Sequence, residues 1–521
     1  MNKLLTFFRL IGSGLVLARH DALVPPEFRG LLPVGTRFIG WLARFGLPTP
    51  KGNRGERLAR ALEKLGPSYV KLGQFLATRG DILSPEVVAG LAGLKDQMQP
   101  FSREEAKAIL SQELGEDWPK LIHGFTEPMA AASVAQVHKA KDVGGQDIAV
   151  KLLRPDVGAR INKDVQALQM GARLAEKWFP ASKRLEPVRF VETVAKSLLL
   201  ELDLRMEAAA ASELGEIATQ FEHITIPQIH WEQTRERVLV MDWLDGIALT
   251  DLPALKKSGI DLVKLAEIIP TSFLSFALDH GVFHADLHEG NMFALPDGGL
   301  GLVDFGIIGR IGPAQRRYLA EILYGFLRRD YRRVAEVHFE AGYVPDTHMV
   351  DEFAQALRSV GEPVFGKTAK DVSMGQLLLH LFAVTARFDM HLRPELVLLQ
   401  KTMVQVEGVA RTLDPNHDLW GSAEPVIERW IKRELGPEGQ LDELADDLLD
   451  MRDALRALPA AITDLTEIAK ATREQGFSVD DDSLRRLSHW QARSHRLRDI
   501  GLLVGSAALL LIAIKFVFLG G

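Results

Sequence analysis

Four polar side chains stand in or directly after apolar segments of this chain, and together they constrain its fold. Lys151 lies inside the run IAVKLL, and Asp304 follows the run LGLV and precedes Phe-Gly. Between them, Asp286 and Asn291 are five residues apart in HADLHEGN. Because a buried ammonium group is strongly unfavourable unless anions meet it, Lys151 requires an anionic partner.

These residue types are the ones that phosphoryl transfer from a nucleotide requires. A lysine neutralises the α- and β-phosphates, a carboxylate and an amide hold a divalent cation, and a second carboxylate positions or deprotonates the acceptor. Mg²⁺ prefers a few hard oxygen ligands, which suits Asn291 and Asp304. The order of a strand lysine, D-x-x-x-x-N and then D-F-G, 13 residues after the Asn, is that of protein kinases. The set predicts a kinase-like site with Lys151 and Asp286 in catalytic roles.

The predicted elements indicate an α+β architecture. Two β-type runs between residues 125 and 153 flank the turn Gly144-Gly145, which predicts a hairpin. One long helical region is predicted from about 155 to 221, and short strand-like runs follow it. Helices dominate from residue 262 through 435, apart from a loop-and-strand section at 284–312.

The C-terminus carries a long apolar run, from Ile500 to Leu519, which is 20 residues. As a helix it would be about 30 Å long, enough for one bilayer crossing. Lys515 lies near its far end, where the side chain could reach the interface. Three arginines precede the run and predict that the catalytic domain stays on the cytoplasmic side, namely Arg493, Arg496 and Arg498. A buried core helix is the alternative.

The N-terminal segment MNKLLTFFRLIGSGLVLARHDALVPP has the apolar character of a signal peptide but not its pattern. Arg9 interrupts the apolar run, and no small-x-small cleavage site follows. We expect an amphipathic helix that rests on a membrane surface or packs on the main domain, and the sequence leaves both open.

Composition excludes several classes of function. The chain has 62 basic and 69 acidic side chains, a net charge of −7, so it has no basic excess to hold nucleic acid. It has no cysteine, which excludes thiolate zinc sites, iron–sulfur clusters and cysteine nucleophiles. With no G-x-G-x-x-G motif after a strand either, nothing supports a ring-hydroxylating enzyme.

Beyond the kinase set, four stretches resemble the UbiB/ADCK-type atypical kinases, from about residue 10 to 420. One is GPSYVKLGQF, similar to the family's K-x-G-Q signature. The others are PMAAASVAQVHKA, similar to its alanine-rich loop, LLLELDLRMEAAA, similar to its E-x-D segment, and LRPELVLLQKTMVQVEGVARTLDP. The residues that carry the first two signatures are Lys71, Gly73 and Gln74, and Ala130, Ala131, Ala132, Ser133 and Val134.

The resemblance implies a bilobal protein-kinase-like fold with an N-terminal helical extension and a C-terminal transmembrane helix. It implies ATP or ADP with Mg²⁺ as cofactors and a role in ubiquinone biosynthesis at the bacterial inner membrane. The implied partners are membrane lipids, isoprenoid quinone precursors, other quinone-biosynthesis enzymes and a second copy in a homodimer. The predicted boundaries are 1–100 for the extension, 101–245 for the N-lobe, 246–435 for the C-lobe, 436–498 for a linker and 499–519 for the anchor.

The resemblance also implies roles for single residues. Lys151 would be the nucleotide lysine, Asp286 the catalytic-loop aspartate, and Asn291 with Asp304 the metal ligands. Two acids, Glu201 and Glu207, lie six residues apart on one predicted helix and therefore do not share a face. One would meet Lys151 and the other Lys71, with the choice left open.

Departures from ordinary kinases refine the expected activity. Alanines replace the glycine-rich loop, so the nucleotide geometry should differ and ADP could be favoured over ATP. Ala285 replaces the arginine of H-R-D, and no A-P-E sequence follows D-F-G. In the family the K-x-G-Q segment covers the cleft as an internal gate. ATP hydrolysis or phosphorylation of a small lipid-like molecule is therefore expected rather than protein phosphorylation.

Two other functions fit parts of the sequence. A non-catalytic, nucleotide-binding membrane scaffold would account for the alanine-rich loop and the gate. A metallohydrolase would use His284, Asp286 and His288, which alternate along the chain and could share one face of a strand.

Overall fold

The computed structural model describes residues 3–22, 51–77, 83–92, 94, 99–178, 186–363, 381, 384, 386–390 and 394–436. The predicted transmembrane segment lies outside these residues, as does nearly all of the predicted linker. Within the described ranges, no helix is both long and apolar enough to cross a bilayer.

The described residues of the predicted extension, 1–100, are mostly helical, as predicted. Asn53 caps the second helix, because its side-chain oxygen accepts a hydrogen bond from the backbone N–H of Glu56. Leu62, Val70 and Leu91 belong to one buried cluster that joins the second, third and fourth helices. The helices are α1 (Lys3–Arg19), α2 (Arg54–Leu65), α3 (Pro67–Ala77), α4 (Pro85–Ala92) and α5 (Arg103–Leu114).

A four-stranded antiparallel sheet follows, in the order β1-β2-β3-β5. The predicted hairpin is confirmed as β2-β3, with Gly145 in its turn at a φ of +82°. Lys151 lies on β3 between Val137 and Leu239 of the flanking strands. The elements are β1 (Pro128–Ala131), β2 (Ala135–Lys141), β3 (Asp147–Leu153), α6 (Val157–Trp178), α7 (Pro187–Leu200), α8 (Leu204–Ala218), β4 (Ile224–Thr225) and β5 (Val238–Asp242).

The alternation of side chains along β3 aims Lys151 at the helices of this lobe. Ile148, Val150 and Leu152 pack on the α5 side of the sheet. Ala149 and Leu153 pack on the opposite side, with residues of α6, α7 and α8. Because successive side chains of a strand point to opposite faces, Lys151 shares the face of Ala149 and Leu153.

The region from about 155 to 221 is helical, as predicted, but its described residues form three helices, so the prediction that Glu201 and Glu207 lie on one helix is wrong. Glu201 caps the C-terminus of α7, and Glu207 lies in the first turn of α8. Asp203 separates the two helices as the N-cap of α8, where its carboxylate accepts a hydrogen bond from the backbone N–H of Arg205. The two acids therefore belong to different helices.

The second half of the described chain is mostly helical, with two small sheets, β10-β7 and β4-β9-β8-β6. Helix α10 packs against α14 and α15. The elements are β6 (Ile247–Ala248), α9 (Leu252–Ser258), α10 (Leu262–Ser275), β7 (Val282–His284), β8 (Met292–Ala294), β9 (Leu300–Leu302), β10 (Ile308–Arg310), α11 (Pro313–Leu327), α12 (Tyr331–Glu340), α13 (Val350–Gly361), α14 (Pro394–Leu413) and α15 (Leu419–Glu434).

The two loops that carry the predicted catalytic residues lie side by side. One joins β7 to β8, and the other joins β9 to β10. The backbone N–H of Ala285 donates to the carbonyl oxygen of Ile307 at 3.0 Å, and that of Val303 donates to the carbonyl oxygen of Asn291 at 3.0 Å. These bonds hold Asp286, Asn291 and Asp304 at adjacent strand ends.

Candidate active site

The Lys151 ammonium group lies between two carboxylates from separate parts of the fold. Its Nζ is 2.6 Å from Oε1 of Glu207 on α8 and 3.2 Å from Oδ1 of Asp304 after β9. Burial alone would lower the pKa of Lys151, but the two carboxylates outweigh it and raise the pKa above its ordinary value. Burial also opposes ionisation of Asp304, yet the neighbouring Lys151 lowers the pKa of this carboxyl. The buried lysine is thus charged and paired.

Asp304 has a backbone conformation that few residues adopt. Its φ of +62° lies in the left-handed region, which aspartate tolerates better than most residues with a side chain. Its Oδ1 also accepts a long, 3.4 Å hydrogen bond from the backbone N–H of Gly306. The strained backbone places the carboxylate within reach of Lys151.

The catalytic-loop backbone is held by Asn291 and His284. Nδ2 of Asn291 donates to the carbonyl oxygen of Asp286 at 3.1 Å. The backbone N–H of Asp286 donates to Nδ1 of His284 at 3.1 Å, and Nε2 of His284 bonds the carbonyl oxygen of Val303 at 3.1 Å. These bonds fix the backbone of the loop at 284–291 and connect it to Val303, next to Asp304.

The same bonds argue against the metallohydrolase hypothesis. Both ring nitrogens of His284 are occupied, its side chain is buried, and burial lowers its pKa. Neutral His284 therefore has no lone pair left for a metal ion. Among the described residues, no group of three or more His, Cys, Asp or Glu side chains could hold a metal. His284 is a structural residue of the loop.

The carboxylate of Asp286 is bonded by a helix that the kinase motifs do not include. Oδ1 of Asp286 lies 2.8 Å from Nζ of Lys401 and 3.2 Å from Nε2 of Gln405, both on α14. Burial would raise the pKa of Asp286, but the Lys401 ammonium outweighs it and lowers the pKa to about 2. Sequence reasoning missed both residues, although their i, i+4 spacing within a helical stretch places them on one face.

The second lysine–acid pair joins the K-x-G-Q segment to α7. Lys71, on α3, forms an ion pair with Glu201. The geometry therefore assigns Glu207 to Lys151 and Glu201 to Lys71. Gly73, also on α3, permits close packing, because a Cβ there would lie 2.4 Å from a methyl carbon of Leu94. Gln74 lies on the same helix, half-buried.

Only part of the alanine-rich segment is a loop, because its first residues form a strand and the rest form a turn. Ala130 and Ala131 belong to β1, and the turn from Ala132 through Ser133 and Val134 leads into β2. Arg154 holds this turn, because its Nε and Nη2 donate to the carbonyl oxygen of Ala132 at 3.0 and 2.8 Å. Arg154 was not identified from the sequence.

The donor set fits a magnesium ion held with a nucleotide. Asn291 and Asp304 supply an amide and a carboxylate oxygen at adjacent strand ends, and Mg²⁺ typically takes few protein ligands and completes its shell with phosphates and water. Lys151 lies beside Asp304, where its ammonium group can neutralise part of the negative charge of the phosphates.

The fold and the site together define an atypical kinase-like protein. Residues 93–338 match the model of the ABC1 atypical kinase-like domain, and residues 357–418 match that of the UbiB helical domain. These matches confirm the predicted kinase-like fold.

Two relatives carry the name "Probable protein kinase UbiB". The one from Marinobacter nauticus is 41% identical over 439 residues, 83% of this chain and 80% of that protein. The one from Azotobacter vinelandii is 39% identical over 483 residues, 91% of this chain and 90% of that protein. The chain therefore belongs to the UbiB family, as its motifs predicted.

A solved structure supports the fold independently. The complex of Rv3197 with erythromycin from Mycobacterium tuberculosis aligns with a TM-score of 0.51 at 20% identity, over 76% of this chain and 97% of that one. This likeness supports the fold alone.

The buried pair predicts a large loss of stability when Glu207 is truncated. Glu207→Ala should lower the free energy of unfolding by about 3 kcal/mol, because it removes one of two anions from a buried ammonium. Glu213→Ala, on the same helix, removes an exposed pair with Arg310 and should change it by less than about 1 kcal/mol. Urea unfolding of both variants measures the difference, and equal losses would contradict the pairing.

Proposed function

We propose that this protein binds Mg-nucleotide and turns over ATP, by hydrolysis or by phosphorylation of a small lipid-like molecule, in support of ubiquinone biosynthesis at the membrane. The observation that carries the proposal is the convergence of Lys151, Glu207 and Asp304 beside the loop that holds Asp286 and Asn291. Membership in the UbiB family supports the quinone pathway.

Each residue has a distinct part in this chemistry. Lys151 binds and neutralises the nucleotide phosphates, with Glu207 holding its side chain in place. Asp286 orients the attacking water or hydroxyl and accepts its proton. Asn291 and Asp304 would hold Mg²⁺, which supplies positive charge that stabilises the transferring phosphoryl group.

The K-x-G-Q helix favours a small acceptor over a protein. Besides the Lys71–Glu201 ion pair, Leu72 and Phe75 of α3 pack against the same apolar cluster as Val134 of the alanine-rich turn. An extension that packs on the same cluster as this turn would restrict the space that a protein substrate needs. We propose that this helix gates the site and that Lys71, Gly73 and Gln74 are the residues of the gate.

Helix α1 supports an association with a membrane surface. One face is bonded to the rest of the protein, because Nε of Arg9 lies 2.6 Å from Oδ1 of Asp164 and Oγ of Ser13 lies 2.6 Å from the hydroxyl of Tyr69. The large apolar side chains elsewhere on the helix are exposed, namely Leu4, Leu5, Phe7, Phe8, Ile11 and Leu15. We propose that they enter the cytoplasmic face of the inner membrane.

Replacement of Asp304, the proposed carboxylate ligand of Mg²⁺, should strongly reduce ATP hydrolysis. Asp304→Asn loses the negative charge that pairs with Mg²⁺ and Lys151, so Mg-dependent ATP hydrolysis should fall by at least about 100-fold. Asp346→Asn, an equal charge change at an exposed turn, should keep the wild-type rate. Phosphate release in anionic liposomes measures both. Equally negligible rates in wild type and Asp304→Asn would favour the nucleotide-binding scaffold.

Nucleotide titrations of the wild type and of Ala131→Gly test the expected preference for ADP. The Cβ of Ala131 and the bonds of Arg154 restrict the backbone that would close on the terminal phosphate. ADP should therefore bind more tightly than ATP in wild type, and Ala131→Gly should reduce the difference. If Ala131→Gly leaves both affinities unchanged, the preference does not arise from the alanine-rich segment.

The absence of cysteine makes the membrane proposal testable in the full chain. Phe8→Cys, labelled with an environment-sensitive fluorophore, should shift its emission to the blue when anionic phospholipid vesicles are added. Met349→Cys, at a similarly exposed apolar position, should not respond. Equal responses at the two positions would contradict membrane contact through α1.

A further inference from the structure

Asp286 is held by α14, an element more than a hundred residues further along the chain. Nζ of Lys401 and Nε2 of Gln405 both bond the same atom, Oδ1 of Asp286, at 2.8 and 3.2 Å. The two residues are one helical turn apart and therefore act from one face. The rest of the helix is anchored, since Thr402 and Val406 are fully buried.

The other cations near the site are placed differently. Lys151 is paired with Glu207 and Asp304. Nε2 of His288 is 3.8 Å from Oδ2 of Asp286, too far for a hydrogen bond. Within the part of the chain that the structure describes, Lys401 is the cation in hydrogen-bond contact with Asp286.

Oδ2 of Asp286 is left for the reaction. Because both donors from α14 bond Oδ1, the second oxygen can accept a hydrogen bond from an attacking water or hydroxyl. A carboxylate held by two donors on one oxygen is fixed in rotation as well as in position. This is the property that a group positioning a nucleophile needs.

We propose that Lys401 is a positioning residue for phosphoryl transfer and acts through Asp286, with Gln405 in support. The active site of this protein is then completed by the helical domain matched at residues 357–418, outside the matched kinase-like domain. The proposal rests on the proposed function, because it assigns Asp286 the role of orienting the nucleophile.

A cycle of variants in the full-length protein tests this role. Lys401→Met should lower kcat for Mg-ATP hydrolysis by about 100-fold, since small displacements of a reacting group have effects of that size. Nucleotide affinity should stay unchanged, because Lys151 and the metal ligands are intact. Lys401→Arg, which keeps the charge and the donors, should recover part of the loss. Lys432→Met, which removes an exposed lysine from α15, should have no effect.

The decisive comparison uses Asp286→Asn as the background. If Lys401 acts through Asp286, Lys401→Met should cause no further loss in that background. The proposal is overturned if Lys401→Met lowers kcat equally in both backgrounds, if it leaves kcat at the wild-type value, or if only nucleotide affinity falls.

Asp304→Asn separates this proposal from the proposed function. An active wild type and an inactive Asp304→Asn, together with a wild-type rate for Lys401→Met, would overturn the positioning role alone. Wild-type turnover no greater than that of Asp304→Asn would overturn both.

Discussion

A single buried ammonium group determines how the active part of this protein is assembled. Lys151 lies on an inner strand, on the face that packs against helices, where an unpaired charge would be strongly unfavourable. Its two partners come from different parts of the fold, Glu207 from a helix packed on the sheet and Asp304 from a loop of the second half. Pairing of the lysine therefore joins the two halves at the place where a nucleotide would bind.

Two further lysine–acid pairs extend this arrangement outward. Lys71 with Glu201 connects the N-terminal extension to the end of α7, and Lys401 with Asp286 connects α14 to the catalytic loop. Each pair joins elements that are distant in sequence. The K-x-G-Q helix thus contacts the kinase-like part through Glu201, and the helical domain contacts it through Asp286.

The sequence was sufficient to predict the residues that any kinase-like site needs. Lys151, Asp286, Asn291 and Asp304 could be identified because their chemistry, order and element types are coupled, and the hairpin around Lys151 followed from alternating side chains and a Gly-Gly turn. Their proposed roles remain predictions, as do the domain boundaries and the homodimer.

The features that could not be predicted from the sequence depend on helix capping and on contacts between distant segments. The separation of Glu201 from Glu207 arises from one side chain, Asp203, which begins a new helix inside an otherwise helical pattern. Lys401 and Arg154 were not identified, since their partners become visible only when distant segments meet. The apolar run that predicts a membrane anchor lies beyond the described residues.

We propose that this site turns over ATP in support of ubiquinone biosynthesis at the membrane. The most direct test is ADP formation, which accompanies both hydrolysis and phosphorylation of a lipid-like acceptor. It is measured with the full-length protein in anionic liposomes, with Mg-ATP and either a prenylated phenol or the same phenol without its prenyl chain. We expect Mg-dependent ADP formation that rises with the prenylated compound and not with the other. The same low rate under all conditions, with or without Mg²⁺, would overturn the proposal.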